Sequence, residues 1–190
     1  MAPATAPVPV SPPVLLTAED YLALPDDGRR TELVKGVVVE MPQPTPSHGY
    51  YCVNIARELS TFVKANDLGR VVSNDSGIIT RREPDTVRGS DVAFYSYERV
   101  PRGLLPKGYW PPPDLLFEVR SPSNRWATIM LKIGEYFAIG VKMVCVLDPD
   151  IAVLTVFQHD EIPHILDASE EFTAPGILPG FRVIVKQFLE

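Results

Sequence analysis

The hydrophobic and polar positions in the first half of the chain change between a helical period and a strand-like period. Thr17 is a capping hydroxyl before a short helical segment. Two β-branched runs flank the turn residues Lys35-Gly36 and predict a β-hairpin, at 32–34 and 37–41. Apolar residues then recur at helical spacing from Ser47, the predicted cap, to Asn66. We therefore expect a hairpin followed by a long amphipathic helix.

The middle of the chain predicts short strands, turns and one long loop. Val71-Val72 and the run 78–80 are typical of two strands, with a turn at 74–77 between them. Asp91 opens another strand-like run that continues to Tyr95. Prolines are frequent from Pro101 to Pro113, which indicates an irregular surface loop near the functional site.

The second half of the chain has the pattern of a βαβ unit. The apolar run 115–119 is followed by a helical segment from Asn124 to Ile139 and by a second apolar run at 141–147. Such a unit places its two strands parallel, with a right-handed crossover. Further strands are expected at 152–157 and within 181–190. Together these elements predict an α/β (α+β) fold, in which a mixed central sheet is flanked by helices.

Composition excludes several classes of protein. With 190 residues, 45% of them hydrophobic, the chain is expected to form one domain over 14–190 after a flexible tail at 1–13. The formal net charge of −6 argues against a broad electrostatic clamp for nucleic acid, because such clamps consist of Lys and Arg. Cys52 and Cys145 lack metal-ligand spacing and indicate reduced thiols in a cytoplasmic protein. No apolar run is long enough to span a membrane, so no membrane partner is expected.

A lone acid, Glu118, interrupts the apolar run 115–119. A buried carboxylate needs a metal ion, an arginine or hydrogen bonds to offset its desolvation, so Glu118 is a site candidate. Asp91 on another strand and Lys132 on the following helix complete a two-carboxylate site that suits Mg²⁺, with Mn²⁺ as a substitute. Lys132 lies at the margin of the apolar helix face. An equally good interpretation is that its aliphatic stem packs on this face while its charged end reaches solvent. Phosphodiester hydrolysis is the chemistry that this composition favours.

Short motifs extend these observations over most of the chain. They are Glu32-Leu-Val-Lys-Gly, Met41-Pro followed by His48, Ser90-Asp91-Val-Ala-Phe, Pro113 to Pro122, Lys132 with Tyr136, and Leu178-Pro-Gly-Phe181. In this order and spacing the chain resembles the Uma2-like restriction endonucleases, a branch of the PD-(D/E)XK nuclease superfamily, from about Leu15 to Phe188. The resemblance implies a restriction-endonuclease-like fold and DNA as the substrate. It also implies Asp91 and Glu118 as metal ligands, Glu32 as an accessory catalytic acid, and Lys132 as the lysine displaced onto a helix.

Two further residues are candidate substrate contacts. Arg120 stands where many superfamily members carry the lysine; it stays charged, cannot act as a base, and is expected to hold a phosphate. His48, at the predicted helix start, is either a solvated residue or a contact to substrate near the metal.

Alternatives to a nuclease remain open. Ser90 replaces the proline of the superfamily motif, and Asn124 stands where relatives often carry an acid. These departures leave room for a catalytically inactive module that binds nucleic acid or a protein partner. A hydrolase acting on a small phosphorylated substrate is a third possibility. An enzyme that cuts both DNA strands is expected to be a homodimer, because two copies present two active sites.

Overall fold

The computed structural model describes residues 14–121 and 125–190. The predicted tail at 1–13 and the predicted helix start at Asn124 lie outside the described residues. The helices of the described part are α1 (Ala18–Leu22), α2 (Pro46–Ala65), α3 (Trp126–Ala138) and α4 (Lys186–Leu189). Its strands are β1 (Thr31–Val34), β2 (Val37–Glu40), β3 (Gly69–Arg81), β4 (Thr86–Ser96), β5 (Leu115–Val119), β6 (Met143–Asp148), β7 (Val153–Gln158), β8 (His164–Asp167), β9 (Glu171–Ala174) and β10 (Leu178–Ile184). Within these ranges, the helices are too short or too polar to form a membrane span.

A mixed sheet of eight described strands forms the centre of the fold. Its order is β2-β1-β4-β5-β6-β7-β8, and β3 pairs with β4 as well. Strands β5 and β6 are parallel on either side of helix α3 in sequence, as the βαβ pattern predicts. The N-terminal hairpin β1–β2 is antiparallel and has Lys35 and Gly36 at its turn, as expected. Strands β9 and β10 form a separate antiparallel hairpin. The predicted fold class is confirmed.

Strand β3 shows that the prediction of two short strands joined by a turn was wrong. It is continuous and pairs antiparallel with β4 along its length. Asn74 and Asp75 have φ angles of 69° and 52°, and the pairing register shifts between Ser73 and Ser76. These turn-forming residues therefore make a β-bulge, which bends the strand but leaves it in the sheet.

The ends of the helices differ slightly from the prediction. Thr45 rather than Ser47 caps α2: its side chain accepts a hydrogen bond from the backbone N–H of His48 at 3.3 Å. Pro46 occupies the first turn, where its missing N–H costs nothing. Helix α3 begins at Trp126, two positions after the predicted start. Strands β8 and β9 lie in segments without a clear apolar period, so the sequence pattern does not indicate them.

Both faces of the sheet are covered, and this determines where Glu118 points. Phe117 and Val119 of β5 pack in the core formed with α2, α4 and the β9–β10 hairpin. Leu116, on the opposite face, packs in a second core with α3. Successive strand residues alternate between faces, so Glu118 projects to the side of α3. Burial on both faces explains why β5 is apolar apart from this acid.

Candidate metal-binding active site

A cavity of about 270 Å³ is lined by residues of β4, β5, α2, α3 and the segment 41–45. Its charged or ionisable lining residues are Arg30, His48, Asp91, Glu118 and Lys132. Three of the four predicted catalytic residues thus share one cavity with the predicted substrate contact His48. The proline-rich loop at 101–113, expected near the site, does not line this cavity.

Asp91 is fixed in place by the neighbouring strand and by helix α2. The register Val92 opposite Phe117 brings Asp91 beside the end of β5, where the backbone N–H of Val119 donates to its Oδ2 at 2.7 Å. Nε2 of His48 lies 3.3 Å from the same oxygen. Asp91 is only 5% exposed, so both partners hold its carboxylate at the cavity wall.

Glu118 is a buried acid with little compensation. Its Oε1 accepts a hydrogen bond from the hydroxyl of Tyr136 at 2.8 Å, and no other described residue donates to its carboxylate. Burial raises the pKa of Glu118 to about 7; the positive charge of Lys132 opposes the shift, and the negative charge of Asp91 adds to it. Burial destabilises the ionised form of Glu118, and a cation bound beside the carboxylate would stabilise that form.

Lys132 is held beside these acids by Glu32. Its Nζ lies 2.8 Å from Oε1 of Glu32, and both side chains are buried. Burial alone would lower the pKa of Lys132, but the charges of Glu118 and Glu32 outweigh it and raise the pKa. Lys132 is therefore a cation at neutral pH, and the alternative of a lysine reaching into solvent does not describe it.

Glu32 makes hydrogen bonds with both of its oxygens. Besides Lys132, it accepts from Nη1 of Arg88 at 2.9 Å and from the backbone N–H of Gly89 at 3.2 Å. Arg88 in turn makes two hydrogen bonds to Glu135 of α3, at 2.7 and 2.8 Å. This network joins β1, β4 and α3 and orients Lys132. Arg88 is thus engaged in ion pairs within the protein.

The described part of the chain contains a close group of possible metal ligands formed by His48, Cys52 and Asp91. Their ligand atoms all lie within 4.8 Å of one another, and Glu118 lies outside this group. His48 Nδ1 faces Cys52 Sγ at 3.5 Å. The hydrogen bond to Asp91 raises the pKa of His48, and burial raises the pKa of the Cys52 thiol. Imidazole and carboxylate donors at one cavity wall fit a divalent cation.

Arg30 also lines the cavity, although it was not among the site residues predicted from the sequence. Its Nη1 donates to the carbonyl of Pro42 at 3.1 Å, and its Nη2 pairs with Asp75. The only signal was the pair Arg29-Arg30 before β1. Arg29 pairs with Asp27 at the surface, and the pattern alone does not say which arginine faces inward.

Arg120, in contrast, does not line the cavity. Its Nη1 lies 2.7 Å from Oδ2 of Asp148, and its guanidinium lies 5.9 Å from the ring centre of Trp126. The expected phosphate contact of Arg120 stays a prediction that this placement does not support.

Comparisons with known proteins agree with this architecture. The model of the family described as Uma2, putative restriction endonuclease, matches residues 18–186. A solved structure, described as a putative nuclease belonging to DUF820 from Anabaena variabilis ATCC 29413, superposes with a TM-score of 0.79 at 18% identity. The superposition covers 92% of this chain and 97% of that chain, and it shows a shared fold. No curated protein matches the chain significantly.

Proposed function

This chain belongs to the Uma2 family of putative restriction endonucleases, and from that membership and the cavity geometry we propose that it is a divalent-metal-dependent DNA nuclease. Glu118 carries the proposal. Its carboxylate is buried and faces the cavity beside Asp91, yet its only hydrogen-bond donor among the described residues is the hydroxyl of Tyr136. The charge of Lys132, which pairs directly with Glu32, offsets only part of the cost of burying this acid, and a bound cation would offset the rest.

Asp91 and Glu118 are the proposed metal ligands, with Mg²⁺ as the default ion because its preferred ligands are oxygens. When bound, the ion supplies a Lewis acid that polarises a phosphoryl oxygen and activates a water. Asp91 is oriented for this role by the N–H of Val119 and by His48. Both carboxylates leave at least one oxygen without a hydrogen bond to a described residue.

Lys132 is proposed to stabilise negative charge that develops on the phosphate. The raised pKa of this lysine keeps it protonated at neutral pH, so it acts as a hydrogen-bond donor and a positive charge rather than as a base. Glu32 is a positioning residue: both of its oxygens already accept hydrogen bonds, and one of them comes from Lys132. This assigns Glu32 an indirect role in place of a direct catalytic one.

Arg30 is the proposed contact to a neighbouring phosphate of the DNA strand. Its guanidinium is anchored by Pro42 and Asp75 at the cavity wall, which reduces the entropy lost when it binds substrate. A fixed guanidinium presents several donors to a phosphate. Arg120 is also fixed, by Asp148, but it does not line the cavity, so Arg30 fits this role better.

Cleavage of supercoiled plasmid and single-stranded DNA, each with Mg²⁺, Mn²⁺ or EDTA, tests the proposal. We expect metal-dependent cleavage by the wild type and a rate about a thousandfold lower for Glu118→Gln, which keeps the size of the side chain and an acceptor for Tyr136. Asp114→Asn is the matched control, because Asp114 is also buried next to β5 but does not line the cavity. Equal cleavage by wild type and Glu118→Gln would contradict the proposed site.

The second candidate function is a non-catalytic module that binds nucleic acid or a protein partner. The net charge of −6 favours it, and so does the engagement of Arg88 and Arg120 in internal ion pairs, because cations held in such pairs are less available to DNA phosphates. Thermal unfolding separates the two functions. Stabilisation by metal that disappears in Asp91→Ala supports the nuclease, whereas a melting temperature that no divalent ion changes supports the module.

A further inference from the structure

We propose that His48 is a nitrogen ligand of this metal site and that it makes the site prefer first-row transition ions such as Mn²⁺ to Mg²⁺. This inference rests on the proposed metal-dependent function and concerns the identity of the ion. It follows from the position of His48 relative to Asp91 and from the second contact of its ring.

The separation of the two donor atoms matches a shared ion. Nε2 of His48 and Oδ2 of Asp91 are 3.3 Å apart. Two adjacent ligands of an octahedral ion, each about 2.1 Å from it, are about 3.0 Å apart. Both residues line the 270 Å³ cavity, and the His48 side chain is only 12% exposed. An ion bound by this pair would replace the hydrogen bond between them: Nε2 would release its proton to solvent, and the ring would keep its proton at Nδ1.

Cys52 contacts the ring nitrogen of His48 that does not face Asp91. It lies one helical turn after His48 on α2, and its Sγ is 3.5 Å from Nδ1. This contact at Nδ1 leaves Nε2 directed at Asp91. Metal-bound histidines commonly have such an outer partner at the other nitrogen, which selects the tautomer and the ring orientation. Cys52 is thus an orienting residue, because it touches the nitrogen on the far side of the ring from Asp91.

A nitrogen donor changes the order of metal preference. Mg²⁺ binds oxygen ligands and keeps several waters, and it gains little from imidazole. Transition ions bind imidazole nitrogen more strongly, and their affinities at mixed nitrogen and oxygen sites rise along the series from Mn²⁺ to Cu²⁺. A site with Asp91 and Glu118 alone would suit Mg²⁺, whereas the addition of His48 shifts it toward the transition series.

Metal binding measured without DNA tests this inference. Mn²⁺ binding is followed by electron paramagnetic resonance and Mg²⁺ binding by competition against Mn²⁺, for the wild type, His48→Gln and His164→Gln. His164 is an exposed histidine on β8 and does not line the cavity, so it is the matched control. We expect His48→Gln to weaken Mn²⁺ binding by about tenfold or more and Mg²⁺ binding by less than about threefold, with no change in the control.

Electron spin-echo measurements on the Mn²⁺-loaded wild type detect a nitrogen ligand of the ion directly. They do not require any variant to fold. Modulation from one histidine ¹⁴N nucleus is expected, and its absence would overturn the inference while leaving the nuclease proposal intact. Equal weakening of both ions in His48→Gln would also overturn it. If neither ion binds the wild type at all, the metal-dependent function itself fails. These outcomes separate the two proposals.

Discussion

Two acids at opposite ends of β5 are almost equally buried but have opposite surroundings. Asp114, just before the strand, is 1% exposed, and Glu118, near its end, is 8% exposed. Asp114 accepts from the backbone N–H of Ser96 at 2.8 Å and pairs with Lys142 at 2.8 Å. Burial opposes ionisation of Asp114, but Lys142 and Ser96 outweigh it and lower the pKa. Among the described residues, only the hydroxyl of Tyr136 donates to Glu118, and the pKa of Glu118 is raised to about 7.

This contrast separates an acid that supports the fold from an acid suited to a site. Burial alone does not distinguish them, because both carboxylates have lost their water. The partners do: Asp114 has its charge matched by Lys142 and Arg99, whereas Lys132 beside Glu118 makes its direct ion pair with Glu32. An unmatched buried charge destabilises the metal-free protein, and it is retained at functional sites more often than elsewhere.

The largest expected difference between the two acids is in DNA cleavage. Glu118→Gln should lower the metal-dependent cleavage rate by about a thousandfold, because a metal ion at the site supplies several kcal/mol of transition-state stabilisation. Asp114→Asn, which keeps an acceptor for the N–H of Ser96, should stay within about threefold of the wild type. Single-turnover cleavage at saturating Mn²⁺ measures both. Comparable losses in the two variants would show that the contrast has no functional meaning.

For the free energy of unfolding, a change at Asp114 should cause a larger loss than a change at Glu118. Asp114→Ala removes the partner of Lys142 and leaves the N–H of Ser96 without its acceptor. We expect the free energy of unfolding to fall by about 2 to 3 kcal/mol, the usual cost of removing a buried charged acceptor when one partner is half exposed. Urea unfolding in EDTA measures it. Lys142→Ala is the control from the other side of the pair and should cost less, because its side chain is 48% exposed.

The two acids should also make the free energy of unfolding change with pH in opposite directions. Glu118 binds its proton more tightly in the folded state than in the unfolded state. The stability of the folded protein therefore falls as pH rises from about 4.5 to about 7. Asp114 has the lowered pKa, so it contributes stability above pH 3.8 that is lost as pH falls through its folded value. Without metal, the stability advantage of Glu118→Gln over the wild type should be about 2 to 3 kcal/mol larger at pH 8 than at pH 5. An advantage that does not change with pH would argue against ionisation as its cause.

Much of the fold could be predicted from the sequence because it depends on local periodicity. Three elements follow from patterns among a few neighbouring residues: the hairpin at Lys35-Gly36, the long helix that ends at Ala65, and the parallel pair β5–β6. The bulge in β3 could not be predicted in this way. Asn74 and Asp75 are equally good in a turn and in a bulge, and only pairing with the distant β4 decides between them.

The candidate site could be predicted where its residues lie on regular strands and helices. Asp91, Glu118 and Lys132 are carried by two adjacent strands and the helix that follows, so their encounter follows from the topology. Arg30 and the segment 41–45 reach the cavity through irregular backbone, whose path no period predicts. The direction of Arg120 depends on Asp148, which arrives only when β6 pairs beside β5.

The smallest expected effect concerns the hydroxyl of Tyr136, which donates to Glu118. Tyr136→Phe removes the hydroxyl that donates to Oε1 and changes little else, since the ring is fully buried. That hydrogen bond lowers the pKa of Glu118, so its loss should raise the pKa further, by about half a unit to one unit. The acidic limb of the pH profile of cleavage should move to higher pH by the same amount. Tyr95→Phe is the control, because Tyr95 is equally buried on β4 and does not contact Glu118. If both variants shift the limb equally, the effect belongs to the core in general and not to the bond between Tyr136 and the site acid.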